Sequence, residues 1–574
     1  MKRLIVLLAL IAGLAVAGFY GYQHFLPRAQ SDDALAYIPA DTPFFFGSLQ
    51  RYDWSAWLQA LPTRRLNPSL ETMTELQAAL SEGGAAGGLF FGLYSLYLEL
   101  AQNPATIPQR LGVRHDELAT VYSIGLVPVI RQPLADSAMF LSALDEAELR
   151  GKASHQVSQF RDETLRRYGF GDESPFDLLV LVRDDVAIFT LDTPIERDSV
   201  LALAFGLERP AQSLADTGLP QAIAKRHGLH PAAIGYINQQ SIIAGLTGAD
   251  DSHLARMLNA LNDDARALLA PVRTAGCQHD LQVLASQWPL TALGYTQVNA
   301  ATGGMTSKIV LAANDEQPMQ ELRKLQGHVP NFKQAQIAPL VALALGLNVD
   351  ELAPVVQSLW QKFTTAPYQC EFLQAWQQQA RQQNPALLAL ATAMISGVRG
   401  IGAAVYDVQL DDPLQPESLQ ALLTLTADNP AALLSRLQLL DPALADIEIP
   451  ADGHAVPLPS RFEFMPPLML AIRGPHIVTY LGPALDNILA SLGNESLQAN
   501  ALGWLRIDYA RLLPLLSQLS SRAANHSSIP AESLETAKQQ LDQLGELGLA
   551  IEVGIELDPA GIVFQTEITL DKAP

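Results

Sequence analysis

Residues 176–190 read FDLLVLVRDDVAIFT, two apolar runs of strand-forming residues separated by the polar triplet RDD at 183–185. This arrangement is typical of a β-hairpin, because Asp favours tight turns while Leu, Val, Ile and Phe favour strands. Residues 468–480, LMLAIRGPHIVTY, repeat the arrangement with RGP at 473–475. The two stretches therefore predict two equivalent hairpins, far apart in the chain.

The segments around the two hairpins occur in the same order. Each hairpin follows a strand and a helix, and precedes a helix, a short strand, a further helical region and a closing hairpin. Such a repeat indicates a tandem duplication, so we predict an α+β fold with two tandem copies of a mainly antiparallel sheet packed by helices. The first copy has a strand at 121–130, a helix at 138–149, Tyr236 in the short strand and a closing hairpin at 294–311; the second has 402–410, 431–440, Trp504 and 551–570 in the same places.

The repeat also sets the predicted domain limits. Between the two copies, apolar residues recur at helical spacing in 340–347 and 359–376, which favours a helical connector. The predicted ranges are 1–30 for an N-terminal segment, 31–315 for the first unit with helical insertions, 316–395 for the connector and 396–574 for the second unit.

The N-terminal segment consists of MKR followed by an unbroken apolar run at 4–22. This run approaches the roughly 20 residues that a helix needs to cross a bilayer, and cations before it favour a cytoplasmic N-terminus. We therefore expect a transmembrane signal-anchor with the rest of the chain across the membrane. The alternative is a secretory signal cleaved near Ala17, because AVA at 15–17 is an A-x-A pattern. The run stays apolar beyond Ala17, which favours the anchor.

Residues 37–43 read YIPADTP and are followed by the aromatic run FFFG at 44–47. The two prolines indicate a turn between extended segments, and the Phe run indicates a buried strand. A YIPADTP-like segment behind a membrane anchor resembles the opening of a group of uncharacterised, membrane-anchored proteobacterial envelope proteins. The resemblance covers only this short segment. It implies a location, the bacterial inner membrane with the bulk of the chain in the periplasm, and no chemistry.

The composition describes a folded and strongly acidic protein, with 49% hydrophobic residues, 17% charged residues and a formal net charge of −22. Lys2, Arg3 and Arg28 precede the first acidic residue, Asp32, so the chain from Asp32 onward carries −22 − 3 = −25. Phosphate backbones repel so acidic a surface. We therefore expect no nucleic-acid partner.

Cys277 and Cys370 are the only cysteines. Each lies near the start of an amphipathic helical pattern, DLQVLASQW at 280–288 and EFLQAWQQQ at 371–379, and a periplasmic location lets disulfides persist. We predict a Cys277–Cys370 bridge; the alternative is two separate buried thiols. Because no His lies nearby in metal-ligand spacing, we predict no zinc site at these cysteines.

The sequence lacks the common motifs of catalysis and of cofactor and metal binding, among them H-E-x-x-H, the Walker loop, G-x-G-x-x-G, G-x-S-x-G and S-x-x-K. His227 and His230 flank a turn before a strand, and DD at 184–185 lies at a predicted hairpin tip, where turn chemistry explains Asp. HDE at 115–117 is interpreted as the charged first turn of a helix. We therefore predict no catalytic, cofactor-binding or metal-binding residues.

Residues 83–98 read GGAAGGLFFGLYSLYL and place Gly84, Gly88 and Gly92 four residues apart. On a helix this spacing makes a smooth stripe for close backbone packing. We favour a buried helix behind a Gly-rich loop, because the run is too short to span a bilayer. The alternative is a hairpin that touches lipid.

These observations favour a binding or scaffolding protein of the bacterial envelope, held to the inner membrane by residues 4–22. A duplicated unit offers a cleft or a continuous surface for a ligand. One alternative is a carrier or chaperone for an apolar ligand, suggested by residues 83–98 and by the aliphatic content. Another is a hydrolase whose catalytic residues meet only in the folded chain. We expect no cofactor, and the expected partners are the inner membrane and an envelope protein or apolar ligand.

Overall fold

The chain forms two compact units in a computed structural model. Unit 1 comprises Met1–Ala312 together with Gln369–Phe372, and unit 2 comprises Ala313–Tyr368 together with Leu373–Pro574. Both units combine antiparallel strands with helices, so the mixed α+β class is confirmed.

The structure describes most of the chain beyond the apolar N-terminal run, so the predicted anchor at 4–22 lies outside the described residues. Within them, no helix combines the length and the apolar character that a membrane span requires. The described residues are 32–61, 70–171, 174–333, 338–383, 385–412, 415–440, 444, 447–450, 454–458, 468–482, 485–523 and 548–570.

In its described part, unit 1 contains an antiparallel sheet of ten strands. Their bounds are β1 Phe44–Gly47, β2 Thr120–Ile124, β3 Val127–Pro133, β4 Gln156–Phe160, β5 Glu163–Gly169, β6 Asp177–Arg183, β7 Val186–Asp192, β8 Ile234–Asn238, β9 Leu290–Val298 and β10 Met305–Ala312. Across the sheet, the hydrogen-bonded order is β4, β5, β6, β7, β3, β2, β1, β8, β9 and β10.

The β6–β7 hairpin confirms the prediction made from residues 176–190. Asp184 and Asp185 form its turn, and both have a left-handed backbone, with φ of 50° and 57°. Asp enters this region more readily than most residues. Two successive residues with positive φ also match the twist of the flanking strands. Turn geometry therefore accounts for both carboxylates.

An aromatic layer fills the centre of the unit 1 sheet. Phe45 lies opposite Tyr122 on β2 and opposite Tyr236 on β8, and all three side chains are fully buried. The rings of Phe45 and Tyr236 are 5.8 Å apart between centroids. Tyr236 is thus a core residue of unit 1.

Helices surround the unit 1 sheet, and two of them meet through glycine. The α-helices are α1 Asp32–Leu35, α2 Ser55–Ala60, α3 Leu70–Ser81, α4 Gly84–Leu100, α5 Ile107–Arg110, α6 Ser137–Gly151, α7 Arg197–Ala204, α8 Leu214–Thr217, α9 Leu219–His227, α10 Gln239–Thr247, α11 His253–Asn259, α12 Asp263–Leu269 and α13 Ala275–Gln287, with 3-10 turns at Pro104–Thr106 and Ala270–Val272. The buried helix predicted at 83–98 is α4. A Cβ on its Gly92 would lie 1.8 Å from the carbonyl oxygen of Ala147 on α6, so the glycine stripe permits close helix packing.

Cys277 and Cys370 form the predicted disulfide, with their Cα atoms 4.1 Å apart. Cys277 lies in the first turn of α13. The carboxylate of Asp280, one turn further along, accepts hydrogen bonds from the backbone nitrogens of Gln369 and Cys370 at 2.6 and 2.8 Å. The bridge and this carboxylate together hold residues 369–372 within unit 1.

Unit 2 contains nine antiparallel strands in its described part. Their bounds are β11 Val341–Leu345, β12 Val398–Asp412, β13 Gln415–Ala427, β14 Val456–Pro457, β15 Met469–Arg473, β16 His476–Leu481, β17 Gly503–Asp508, β18 Leu549–Asp558 and β19 Gly561–Leu570. The hydrogen-bonded order is β14, β15, β16, β13, β12, β11, β17, β18 and β19.

One face of the unit 2 sheet packs on a helix and on Phe332. The helices are α14 Glu316–Arg323, α15 Val349–Thr365, α16 Glu371–Arg381 (its first two residues belonging to unit 1), α17 Ala386–Met394, α18 Pro430–Leu440, α19 Asp486–Gly493 and α20 Tyr509–Ala523. Leu489 and Leu492 of α19 join Phe332 and the small sheet residues Ala342 and Ala344 in one buried cluster. We call this side the inner face of the sheet.

Strand β11 corrects the prediction of helix at 340–347. Its residues are all apolar, VALAL, and alternate between buried Ala and exposed Leu. A period of two cannot be seen in the hydropathy pattern when both residue types are apolar, and such a run also fits the spacing of a helix. The remainder of the predicted connector contains helices α14, α15, α16 and α17.

Two further predictions in unit 1 were wrong. The strand predicted at 121–130 is the hairpin β2–β3, which turns at Gly125 with a φ of 56°. The HDE triplet at 115–117 does not begin a helix. Its Asp116 instead accepts a hydrogen bond from Arg114 Nε at 2.8 Å, so the charged groups stabilise a turn before β2.

Candidate apolar binding surface

The face of the unit 2 sheet opposite Phe332, here called the outer face, is aliphatic across five neighbouring strands. The strand registers align three outward positions on each strand, and these positions carry no polar side chain. The outward residues are Val341, Leu343 and Leu345 on β11; Ile401, Ala403 and Val405 on β12; Ala421, Leu423 and Leu425 on β13; Gly503, Leu505 and Ile507 on β17; and Ile551, Val553 and Ile555 on β18.

The large side chains point outward because the inner face has little room. Phe332 lies so close to the sheet that a Cβ on Gly402 would be 2.7 Å from its ring. The neighbouring inward positions are Ala342, Ala344 and Ala404, all almost fully buried. Small residues therefore occupy the inner face beneath Phe332, and Leu and Ile are left on the outer face.

Several of the outward side chains are well exposed. Leu343 is 54% exposed, Leu423 48% and Ile401 46%. Leu343 and Leu423 each lie opposite Ala403, from the two sides of β12, so two Leu side chains stand on either side of a small residue. The result is a shallow apolar groove of about 360 Å³.

At one end of the outer face, apolar side chains are covered by a helix. Leu425 and Ile477 pack beneath α18 in a second buried cluster of unit 2. In the part of the chain that the structure describes, Thr479 is the one residue with a polar side chain among those that line the groove. The backbone groups of the central strands are hydrogen-bonded within the sheet, so the groove offers an apolar wall and few hydrogen-bonding partners.

Arg506 and Asp508 on β17 and Glu552 on β18 lie on the inner face. Arg506 on β17 is 5% exposed and donates hydrogen bonds to the carboxylates of Glu552 and Asp508 and to the carbonyl of Pro339. These contacts satisfy the guanidinium away from the groove. The protein is strongly acidic overall, yet the fifteen outward positions of these five strands carry no charge.

The histidines and carboxylates that sequence analysis considered do not assemble into a site. His227 is buried at the end of α9, whereas the Nδ1 of His230 accepts a hydrogen bond from the backbone of Ala232 at 3.2 Å. Burial lowers the pKa of His230, which favours the neutral ring. Asp185 accepts a hydrogen bond from Ser137 at 3.2 Å at its hairpin tip.

Unit 1 has a larger cavity of about 460 Å³, lined in part by His115 and Asp136. Asp136 is the N-cap of α6 and accepts a hydrogen bond from the backbone nitrogen of Met139 at 2.9 Å. Its carboxylate therefore has a structural task. The described contacts give His115 no second titratable group in a catalytic arrangement, and the cavity supports no specific chemistry.

Comparison with models of known protein families, with curated proteins and with solved structures found no match to this chain.

The outer face of unit 2 was not predicted from the sequence. The available signal was the all-aliphatic set of alternate positions in 341–345, 401–405 and 421–425. That signal does not show which face of a sheet is covered, because buried strands carry the same residues. Only the register and the position of Phe332 identify the exposed side.

Proposed function

We propose that the protein is a periplasmic binding protein, held to the bacterial inner membrane by residues 4–22, that accommodates acyl chains on the outer face of unit 2. The observation that carries the proposal is the set of aliphatic outward positions on β11, β12, β13, β17 and β18. Contiguous exposed apolar surface of this kind marks interaction sites in folded proteins. The face has the chemistry of a hydrocarbon surface.

The side chains favour an acyl chain over a protein partner. Stable protein interfaces carry about ten hydrogen bonds and are enriched in Tyr, Trp and Arg. Among the described residues that line the groove between Leu343 and Leu423, none is Tyr, Trp or Arg, and only Thr479 has a polar side chain. Burying ten methylene groups there would contribute about 8 kcal/mol before the entropic cost of binding. The hydrocarbon part of an acyl chain forms no hydrogen bonds, so a groove with few hydrogen-bonding partners can hold it.

The proposed anchor gives the surface access to its ligand. The apolar run at 4–22 and the YIPADTP segment at 37–43 support a location at the inner membrane. An anchored protein remains beside the bilayer, which is the source of acyl chains. The charge of −25 beyond the anchor region keeps the body soluble and disfavours adsorption to anionic headgroups.

We also propose that the two units are tandem copies. The support is their strand order: from the closing hairpin inward, unit 1 has β10, β9, β8, β1, β2, β3, β7 and β6, and unit 2 has β19, β18, β17, β11, β12, β13, β16 and β15. Tyr236 on β8 and Trp504 on β17 fall on corresponding strands. Binding through one copy would then be a specialisation of unit 2.

The proposal is tested by placing charge in the groove. The double variant Leu343→Asp/Leu423→Asp adds two carboxylates at exposed positions, so the fold should persist while an acyl chain would have to desolvate charge. Membrane vesicles that contain the full chain are supplied with a diazirine fatty acid, and label in the chain beyond the anchor is measured after irradiation. We expect the double variant to lose at least about tenfold of this label, a 1.4 kcal/mol effect.

The matched control is Leu149→Asp/Leu268→Asp, which adds the same charge at two unit 1 positions that are each 81% exposed. This control should label like the wild type. Equal labelling of the groove variant and the wild type would contradict the proposal. Concentration-dependent self-association that the groove variant abolishes, without acyl labelling, would assign the face to a second copy instead.

A further inference from the structure

Two histidines and a glutamate converge in the interior of unit 2, on the side of its sheet away from the groove. His328 Nε2 lies 2.8 Å from Glu495 Oε2, and His476 Nε2 lies 3.2 Å from the same oxygen. Both histidines are at most 5% exposed, and Glu495 is largely buried. One ligand atom from each residue lies within 4.8 Å of the other two, an arrangement that could hold a metal ion.

The hairpin turn and the end of α19 bring His476 and Glu495 together. His476 begins β16 directly after the turn at Gly474 and Pro475. Gly474 has a φ of 54°, and a Cβ there would lie 2.7 Å from the carbonyl oxygen of Gly493, the last residue of α19. The turn therefore packs directly on the helix end, two residues before Glu495. A side chain at 474 would push the histidine and the glutamate apart.

Close backbone contacts hold the His328 segment against the sheet. The nitrogen of His328 donates to the carbonyl of Arg399 at 2.8 Å. A Cβ on Gly400 would lie 2.1 Å from the carbonyl oxygen of His328, and one on Gly327 would lie 2.0 Å from that of Arg399. Two glycines are thus required for His328 to approach β12. The position of this imidazole is set by the backbone.

Each of the three side chains also has a second partner. His328 Nδ1 lies 2.9 Å from the carbonyl oxygen of Gln498; because a carbonyl only accepts, Nδ1 carries a proton and Nε2 is directed at Glu495. His476 Nδ1 lies 2.9 Å from Thr426 Oγ1. Glu495 Oε1 accepts from the nitrogen of Asn331 at 3.0 Å. Metal-binding histidines characteristically use their other nitrogen in this way.

The electrostatics favour an ionised carboxylate at the centre. Burial raises the pKa of Glu495, but hydrogen bonds from His328, His476 and the Asn331 backbone outweigh burial and bring the pKa to about 2. For His328, burial lowers the pKa, and the hydrogen bonds to Glu495 and Gln498 outweigh it and raise the pKa. Both shifts favour an ionised Glu495 beside a protonated His328 when no metal is bound.

We propose that His328 Nε2, His476 Nε2 and Glu495 Oε2 bind a divalent transition-metal ion, with Zn²⁺ as the best fit to this donor set. Two imidazoles and a carboxylate are a known three-residue zinc ligand set. Zn–N and Zn–O distances of about 2.0–2.1 Å place neighbouring tetrahedral ligands about 3.3 Å apart, close to the observed separations from Glu495. Binding would release the proton from His328 Nε2.

The test uses the full chain without a polyhistidine tag, purified in detergent and stripped with a chelator. Titration with Zn²⁺ and with Co²⁺ should show one tight equivalent, and Co²⁺ should give visible d–d absorption typical of tetrahedral nitrogen and oxygen ligation. His476→Asn and Glu495→Gln should each weaken this equivalent by at least about 100-fold, because losing a ligand should cost at least as much as losing an outer-shell partner. Calorimetry in two buffers of different ionisation enthalpy should detect proton release.

The matched control is His155→Asn in unit 1, where His155 Nδ1 lies 2.7 Å from Glu148 but no second histidine among the described residues completes a site. This variant should bind Zn²⁺ like the wild type. Thr426→Val, which removes only the partner of His476 Nδ1, should fold and lose about 10-fold in affinity, so the proposal remains testable if a ligand variant fails to fold. Absence of a tight Zn²⁺ equivalent in the wild type, or binding that persists unchanged in His476→Asn and Glu495→Gln, would overturn the proposal.

Discussion

The contact between α4 and α6 predicts that Gly92→Ala destabilises unit 1. The added Cβ would lie 1.8 Å from the carbonyl oxygen and 2.6 Å from the carbonyl carbon of Ala147. Both atoms belong to the α6 backbone, so the clash is relieved only if the helices separate. Separation would loosen Leu89 and Leu96, which are buried on α4.

The magnitude follows from two opposing effects. Replacing Gly by Ala within a helix favours the helix by roughly 0.5–1 kcal/mol. Overpacking a close contact typically costs 1–3 kcal/mol, occasionally more, and a rigid backbone partner places this contact at the upper end. We therefore expect a net loss of about 2 kcal/mol in the free energy of unfolding of unit 1.

The assay is urea unfolding followed by circular dichroism and by tryptophan fluorescence. Gly493→Ala is the control, because this helical glycine of α19 has Arg473 Cδ, at 4.0 Å, as its nearest neighbour for a new Cβ. The control should be neutral or slightly stabilising. If Gly92→Ala proves as stable as the wild type, the close helix contact is not as described.

Three further predictions concern the disulfide, the central tyrosine and the buried glutamate. Cys277→Ser should lower the free energy of unfolding by about 4–5 kcal/mol in the chain-entropy model, because the bridge joins residues 93 positions apart. The variant should also abolish the mobility shift between reduced and non-reduced electrophoresis. Two alkylatable thiols in the unreduced wild type would contradict the bridge. Tyr236→Ala should lower the free energy of unfolding by roughly 3–5 kcal/mol. Tyr236→Phe should be neutral or stabilising, because the buried hydroxyl has no hydrogen-bond partner in the described structure. A large loss of stability in the Phe variant would reveal a missed partner. The pKa of Glu495 is lowered to about 2 in the folded chain, so the ionised carboxylate stabilises the fold above the pKa of the unfolded chain, and this stabilisation is lost as pH falls through the folded pKa. The metal-free wild type should therefore lose its stability advantage over Glu495→Gln in acid. Parallel curves of unfolding free energy for the two proteins from pH 5 to pH 2 would argue against the ion pair.

Sequence reasoning succeeded where the controlling interaction is local. The turn at Asp184 and Asp185 and the buried helix at 83–98 each follow from residue types within a few positions of one another. Turn geometry, glycine spacing and helix periodicity act over that distance. These features could therefore be predicted without knowledge of the rest of the chain.

It failed where the information is spread along the chain. β11 reads as helix because Ala and Leu are both apolar and both favour helices, and only its pairing with β12 and β17 makes it a strand. His328, His476 and Glu495 form no motif, because 476 − 328 = 148 and 495 − 476 = 19 positions separate them. Their approach depends on glycines that contribute no recognisable chemistry. The exposed side of the unit 2 sheet depends in the same way on where Phe332 packs.

The central claim is that the outer face of unit 2 holds acyl chains, and the most direct test is to locate the bound chain. A diazirine fatty acid is cross-linked to the full-length protein in membrane vesicles, and the modified residues are mapped by mass spectrometry. We predict cross-links in 341–345, 401–405 and 421–425. Cross-links in the apolar run 4–22 would show only that this run contacts the bilayer. Cross-links confined to 4–22, or concentrated in 83–98 or elsewhere in unit 1, would contradict it.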